Sequence, residues 1–337
     1  MRHKVIGGGV MALAMIAAIA PLRAQNPDAK AAEVLAATRK AIGDKKLEAL
    51  KTFSLQAAMQ RNLGTMQMQS DVEMFLELPD KYIRTDVSSG MMNMTSSSGF
   101  NGDRAILPAG ARAMPGGGMM ITMGGPGGAT PHDAPKPTPA EIEQMNKMSV
   151  RNYRQDVSRL MLGWFGGVHP SLKAQYTYAG EAESPDGKAH VIDVKDADGF
   201  AARLFIDQVS HLPLMVTYQG RQGRVITNRM PGGAAAPAAT GAPQVLSRAN
   251  GQTVPGGKEL TDEERKKLQD DLKTQMAQPA PTVEMSLYFE DWREDDGINF
   301  PHKIRRASAG ETSEEWTINK VKVNPKIDAK KFSAEGK

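Results

Sequence analysis

The sequence predicts an α+β protein in which a curved antiparallel β-sheet carries a few helices and two low-complexity insertions. Residues 65–78 alternate apolar and polar side chains over 14 positions, the period of a strand with one apolar face. At about 3.3 Å per residue this strand would be roughly 45 Å long, which suits a large, strongly curved sheet. Further strand patterns follow one another across short turns, which indicates an antiparallel meander.

The first 24 residues have the pattern of a secretory signal peptide: Arg2 and Lys4, then an uncharged stretch from Val5 to Ala20, then the cleavage region Pro21-Leu22-Arg23-Ala24. The alternative is an uncleaved membrane anchor, but the stretch is short and rich in glycine and alanine. We therefore expect export to the periplasm as a soluble protein that begins at Gln25, or at Pro21 if cleavage follows Ala20. N-terminal sequencing of the exported protein checks this, and an intact Met1 would contradict it.

Charge and cysteine content exclude several classes of function. The formal net charge is +4, but three basic residues leave with the signal, so 39 basic residues remain against 38 acidic ones. A nearly neutral mature chain lacks the basic surface that nucleic-acid binding requires. The chain has no cysteine, which rules out a thiolate nucleophile, a thiolate metal ligand and a lipid-modified N-terminal cysteine.

Helical spacing of Ala31, Val34, Leu35 and Ile42 predicts a helix over 31–42, which Gly43 ends. The remaining strand patterns are separated by turn sequences such as Pro-Asp-Gly and Asp-Gly. Besides 65–78, the predicted strands are 53–60, 81–88, 174–182, 190–195, 202–207, 214–219, 283–290, 300–307 and 314–323.

Two segments interrupt this series. Residues 88–137 are rich in Gly, Pro, Ser and Met, and we expect an insertion that does not pack. A helix follows it, opened by the capping box of Thr138 and Glu141 and ended by Gly166-Gly167. Residues 220–281 form the second predicted insertion, an Ala/Pro/Gly linker followed by a charged helix. No second core is indicated.

Three stretches carry a family resemblance. They are Phe205-Ile206-Asp207 leading to His211-Leu212-Pro213-Leu214, Asp291-Trp292 through Asp296-Gly297-Ile298-Asn299-Phe300-Pro301, and Trp316-Thr317-Ile318 with Val321 to Asp328 and Phe332. With this order of helices and strands, the chain resembles the LolA-like family of outer-membrane lipoprotein carriers and sorting proteins. The resemblance implies a single domain over 25–337, apart from the insertions. It also implies an open, unclosed β-barrel whose concave side is covered by helices.

The resemblance further implies a carrier of lipoprotein acyl chains or related lipid-like cargo, which would meet membrane-bound donor and acceptor proteins. The same fold also serves envelope-stress sensing, so a sensor or interaction module is the alternative. No enzyme is expected, because the six histidines lie far apart and the chain has no Gly-x-Ser-x-Gly or His-Glu-x-x-His motif. No cofactor is expected either.

The apolar faces of the long strands are the predicted cargo site, because flexible unbranched side chains can follow the contour of an acyl chain. An ordinary packed core is the competing interpretation. The predicted cargo-binding residues are Met66, Met68, Val72, Met74, Leu76, Leu214, Val216, Met285, Leu287 and Phe289.

Methionines are concentrated in the first insertion. Thioether sulfur is a soft ligand that suits copper(I), so soft-metal binding is a further alternative, although such sites usually include histidine or cysteine. An adaptable apolar flap is the simpler explanation. The candidate ligands are Met91, Met92, Met94, Met119, Met120 and Met123.

Overall fold

A computed structural model describes residues 27–63, 66–88, 94–108, 111–113, 119–121, 138–184, 187–221 and 281–333. The predicted signal peptide, most of the methionine-rich segment and the predicted charged helix of 220–281 lie outside these residues. Within the described part, no helix is both long enough and apolar enough to cross a membrane.

Twelve strands form one antiparallel sheet in the order β5-β4-β3-β2-β1-β14-β13-β12-β11-β10-β9-β8, so that β5 and β8 are its edges. A separate two-stranded ribbon pairs β6 with β7. The strands are β1 Thr52–Leu63, β2 Met66–Glu77, β3 Lys81–Ser88, β4 Met94–Asn101, β5 Arg104–Ile106, β6 Ala111–Ala113, β7 Met119–Ile121, β8 Gln175–Ser184, β9 Gly187–Lys195, β10 Ala201–Asp207, β11 Pro213–Arg221, β12 Thr282–Asp295, β13 Ile298–Ser308 and β14 Glu311–Val323.

The helices are α1 Pro27–Ile42, α2 Asp44–Glu48 and α3 Pro139–Phe165, and a 3₁₀ turn spans Ala329–Phe332. The capping box predicted for α3 is present, since Thr138 and Glu141 each accept from the backbone N–H of the other. Gly166 ends α3 in the left-handed region at φ 61°, where glycine carries no steric cost. Helix α1 buries Ala31, Val34 and Leu35 against the sheet.

The predicted fold class is confirmed: the sheet is open, and helices cover one of its faces. Every predicted strand is present, with ends shifted by a few residues. One boundary was wrong, because the insertion predicted to begin at residue 88 contains β4 and β5 of the main sheet. Phe100 in β4 is fully buried against Tyr82, and Ile106 in β5 is 4% exposed. Burial of these two side chains stabilises a segment whose composition is otherwise typical of a loop.

His169, just after α3, is completely buried, and its ring packs edge-on against Phe100 at 5.4 Å. Its Nδ1 accepts a hydrogen bond from the backbone N–H of Ser171 at 3.2 Å. Burial, helped by the positive charge of Arg154, lowers the pKa of His169 to about 4. The neutral ring therefore stabilises the fold at neutral pH, and this contribution is lost as the pH falls from about 6.5 towards 4.

Replacing His169 by glutamine should remove this pH dependence. Between pH 7 and pH 4, the wild-type chain should lose about 3 kcal/mol more of its free energy of unfolding than the variant does. Urea titrations at both pH values measure the difference. The control is His211→Asn in the β10–β11 turn, because asparagine tolerates the positive φ of 59° there. Equal pH dependence in wild type and His169→Gln would contradict the prediction.

Candidate binding site on the concave face

The face of the sheet that the helices cover, called the concave face below, is apolar over most of its area. Alternate residues of the strands point to it and are almost fully buried, as the two-residue period of a strand requires. With α1 and α3 they form one continuous hydrophobic cluster. Its strand residues include Phe53, Leu55, Val72, Met74, Leu204, Val216, Leu287, Phe289, Phe300, Ile304, Trp316 and Ile318.

The C-terminal end of α3 fills the centre of the concave face. Trp164 and Phe165 pack into an aromatic cluster with Phe53 and Phe300, with ring centroids between 5.1 and 6.3 Å apart. Gly163 lies so close to the ring of Phe289 that a methyl group at this position would overlap it. The helix thus approaches the sheet through its one residue without a side chain, and in this arrangement the centre of the concave face is packed.

The N-terminal half of α3 is held differently. Its side chains Ile142 and Met148 are 53% and 42% exposed. Asn146 anchors it to the β4–β5 hairpin, accepting from the backbone N–H of Ala105 at 2.8 Å and donating to the carbonyl of Asp103 at 2.7 Å. A cleft of about 530 Å³ lies beside this half, and most of its lining residues are charged or polar. This cleft is therefore unsuited to an alkyl chain.

The residues predicted to bind cargo differ in burial. Six of them are at most 3% exposed and belong to the central hydrophobic cluster, namely Val72, Met74, Leu76, Val216, Leu287 and Phe289. Met68 and Met285 are half-buried, and Leu214 is 42% exposed. Met66 is the first residue of β2, and its side chain is outside the described part. The six buried side chains contact other protein groups, so their role in cargo binding stays a prediction.

The methionines proposed as metal ligands are only partly described. Met94 lies in β4, and Met119 and Met120 lie in β7, without described side chains; Met91, Met92 and Met123 fall outside the described residues. Among the residues that are described, no group of three or more His, Asp or Glu side chains could hold a metal ion.

Charged residues replace apolar ones at the end of the concave face where β1 ends and β14 begins. Glu314 is 4% exposed and accepts two hydrogen bonds from Arg61, at 3.2 and 3.0 Å, and one from the indole N–H of Trp316. Arg84 lies in β3, and its side chain extends to β14. There its guanidinium stacks on the Trp316 ring at 4.6 Å and lies 3.8 Å from Glu314. We call this group, together with Asp86 and Arg306, the polar cluster.

The charges of the polar cluster hold Glu314 ionised. Burial alone would raise the pKa of this carboxyl, but the positive charges of Arg306, Arg84 and Arg61 lower it to about 2. Sequence reasoning missed this cluster. The two-residue period of the strands could have predicted it. Arg61 is two positions after Met59 in β1, and Glu314 is two positions before Trp316 in β14, so both charged residues fall on the inward face. Charged residues at inward positions are rarely buried unless they are paired.

No family model matches the chain, and no curated protein matches it. Three solved structures that it is similar to are a LolA superfamily protein from Nitrosomonas europaea, an outer membrane lipoprotein-sorting protein domain from Vibrio parahaemolyticus and the complex of MucA and MucB from Pseudomonas aeruginosa. The identities are 7%, 10% and 12%, and the TM-scores are 0.44, 0.41 and 0.20. The matches cover 90%, 90% and 86% of this chain and 97%, 97% and 93% of the other chains.

The first two of these structures carry the name of the family that the sequence resembles. At such identities and TM-scores the likeness transfers no function to this chain.

Proposed function

We propose that this chain is an exported carrier that binds lipoprotein acyl chains, or related lipid-like cargo, non-covalently on the concave face. One observation carries the proposal. The large apolar face of an open sheet is covered at its centre by the end of one helix, which contacts the sheet through Gly163, Trp164 and Phe165. A cargo chain would take the place of that helix end.

The energetics permit such an exchange. Each methylene group removed from water contributes about 0.8 kcal/mol, so a dodecyl chain gains roughly 10 kcal/mol. That gain offsets the exposure of a few side chains at the end of α3. The helix itself is supported elsewhere, because Asn146 in its N-terminal half and Arg154 near its middle are tied to the β4–β5 hairpin. The C-terminal end could therefore leave the sheet without release of the whole helix.

Met68→Glu tests the proposal, because Met68 is half-buried at the border of the concave face and pairs with Arg61 across β1 and β2. A carboxylate there can stay hydrated, so we expect the free energy of unfolding to fall by only about 1 kcal/mol. Binding of a fluorescent fatty acyl probe should nevertheless be lost, because the bound chain would have to desolvate the charge. Fluorescence titration and thermal melting of the mature protein measure the two effects.

The matched control is Gln67→Glu, since Gln67 is exposed and neighbours Met68 on the opposite face of β2. It should change neither binding nor stability. If Met68→Glu binds the probe as the wild type does, cargo does not occupy this part of the concave face. Native mass spectrometry of the protein purified from its own periplasm would then show whether any lipid is carried.

A second candidate function is an interaction module whose partner is a protein. The exposure of Ile142 and Met148 in the N-terminal half of α3 is the observation that favours it, since both apolar side chains are free to contact a partner. Protein purified without bound lipid, and failing to bind the acyl probe, would favour this function over the carrier.

A further inference from the structure

Two hydrogen-bond donors on the concave face lack an acceptor among the residues that the structure describes. The Nε atom of Arg306 and the Oγ atom of Ser308 are buried, and neither makes a hydrogen bond within the part of the chain that the structure describes. Both residues belong to β13 and, two positions apart, they face the same side. Buried polar groups are normally paired, so adjacent unpaired donors point to a missing acceptor.

The charge around Arg306 favours an anion as that acceptor. Glu314 lies opposite Arg306 in the β13–β14 register, but its oxygens accept from Arg61 and Trp316. Asp86 accepts from Arg84 at 2.8 Å. The polar cluster thus holds three guanidinium groups against two carboxylates. Asp156, whose charge also acts on Arg306, is paired with Arg159 at 2.6 Å, so Arg306 carries the excess positive charge. Burial lowers the pKa of Arg306, but Glu314 and other nearby groups raise it further, so the guanidinium stays charged.

The unpaired donors adjoin the apolar surface. Arg306 lies opposite Leu287, and Ser308 lies opposite Met285, in the register of β12 and β13. Phe289 is two positions beyond Leu287 in β12, on the same face, and its ring lies against Gly163 of α3. A molecule with an anionic end at Arg306 would therefore extend its apolar part along β12 towards the end of α3.

We propose that Arg306 and Ser308 bind the anionic headgroup, a phosphate or a carboxylate, of an amphiphilic cargo whose alkyl chain lies along Leu287 and Phe289. This inference rests on the carrier function proposed above and adds the chemical class of the cargo. Arg306 supplies a charged N–H donor and Ser308 a hydroxyl donor, a pair suited to adjacent oxygens of one anion.

Calorimetric titration of the mature protein with decyl phosphate, decanol and inorganic phosphate tests the proposal. The wild type should bind decyl phosphate roughly tenfold or more tightly than decanol, because a hydrogen bond to a charged group contributes about that factor. Arg306→Gln should remove this preference and leave decanol affinity unchanged. Ser308→Ala, a smaller change that preserves the charge, should reduce the preference several-fold.

Arg305→Gln is the matched control, because Arg305 lies on the opposite face, where its guanidinium is 3.9 Å from the Tyr288 ring centre. It should keep the full preference for decyl phosphate. Equal affinity of the wild type for decyl phosphate and decanol overturns the headgroup site but leaves the carrier function standing. Failure of both alkyl ligands to bind overturns the carrier function. Inorganic phosphate binding as tightly as decyl phosphate would show an anion site unconnected to amphiphilic cargo and would also overturn the proposal.

Discussion

Replacing Glu314 by glutamine should cost about 3–5 kcal/mol of the free energy of unfolding, since removing one partner of a buried ion pair leaves an uncompensated charge. The glutamine side chain has nearly the same shape, so the loss would come from charge and not from packing. The glutamine amide has only one acceptor oxygen, so either Arg61 or Trp316 would face its NH₂ group, and Arg84 would lose a nearby negative charge. Urea denaturation at pH 7 measures this change.

The same substitution should alter the response to acid. The neighbouring guanidinium groups lower the pKa of Glu314 to about 2, from the 4.5 that is usual for a glutamate carboxyl. Its contribution to stability is therefore present above pH 4.5 and is lost as the pH falls towards 2. The wild type should lose this contribution in that range, and Glu314→Gln should not. Glu315→Gln, on the opposite face of β14, is the control and should change stability by less than about 0.5 kcal/mol. A Glu314→Gln variant as stable as the control at pH 7 would show that the polar cluster is hydrated.

Much of the sheet was predictable because its long strands have one buried and one exposed face. Alternation at 65–78 identifies β2, and the capping box at Thr138 fixes the start of α3. Strand β4 was missed because its sequence, MTSSSGFN, has no apolar alternation. Its place in the sheet depends on the buried side chain of Phe100, and on Gly99, which lies against the backbone of Tyr82 where a Cβ would overlap it.

The site was less predictable than the fold, because alternation shows that a face is apolar without showing what covers it. Nothing in the pattern of β12 indicates that Phe289 meets Gly163 of α3. The polar cluster depends on partners far apart in sequence, since Arg61 and Glu314 are separated by 253 positions. The antiparallel pairing of β1 with β14 places these two residues opposite each other.

Replacing Gly163 by alanine should lower stability and strengthen cargo binding at the same time. The added methyl group overlaps the ring of Phe289, which is 2% exposed and packed within the central hydrophobic cluster. Overpacking of this kind costs typically about 1–3 kcal/mol, and we expect a loss near the upper end, about 3 kcal/mol, because the alanine faces a rigid ring. The penalty applies to the arrangement in which α3 lies on the sheet.

If cargo replaces the end of α3, the variant spends more time in the binding-competent arrangement, and its apparent affinity for an acyl probe should rise roughly tenfold or more. The control is Gly167→Ala, where a Cβ would come no closer than 3.9 Å to the nearest atom, a guanidinium nitrogen of Arg39. Fluorescence titration with the acyl probe and thermal melting of both variants separate the outcomes, and circular dichroism checks that the sheet is retained. A Gly163→Ala variant that is destabilised but binds the probe no better than the wild type would show that α3 stays on the sheet during binding. The concave face would then be a core and not the cargo site.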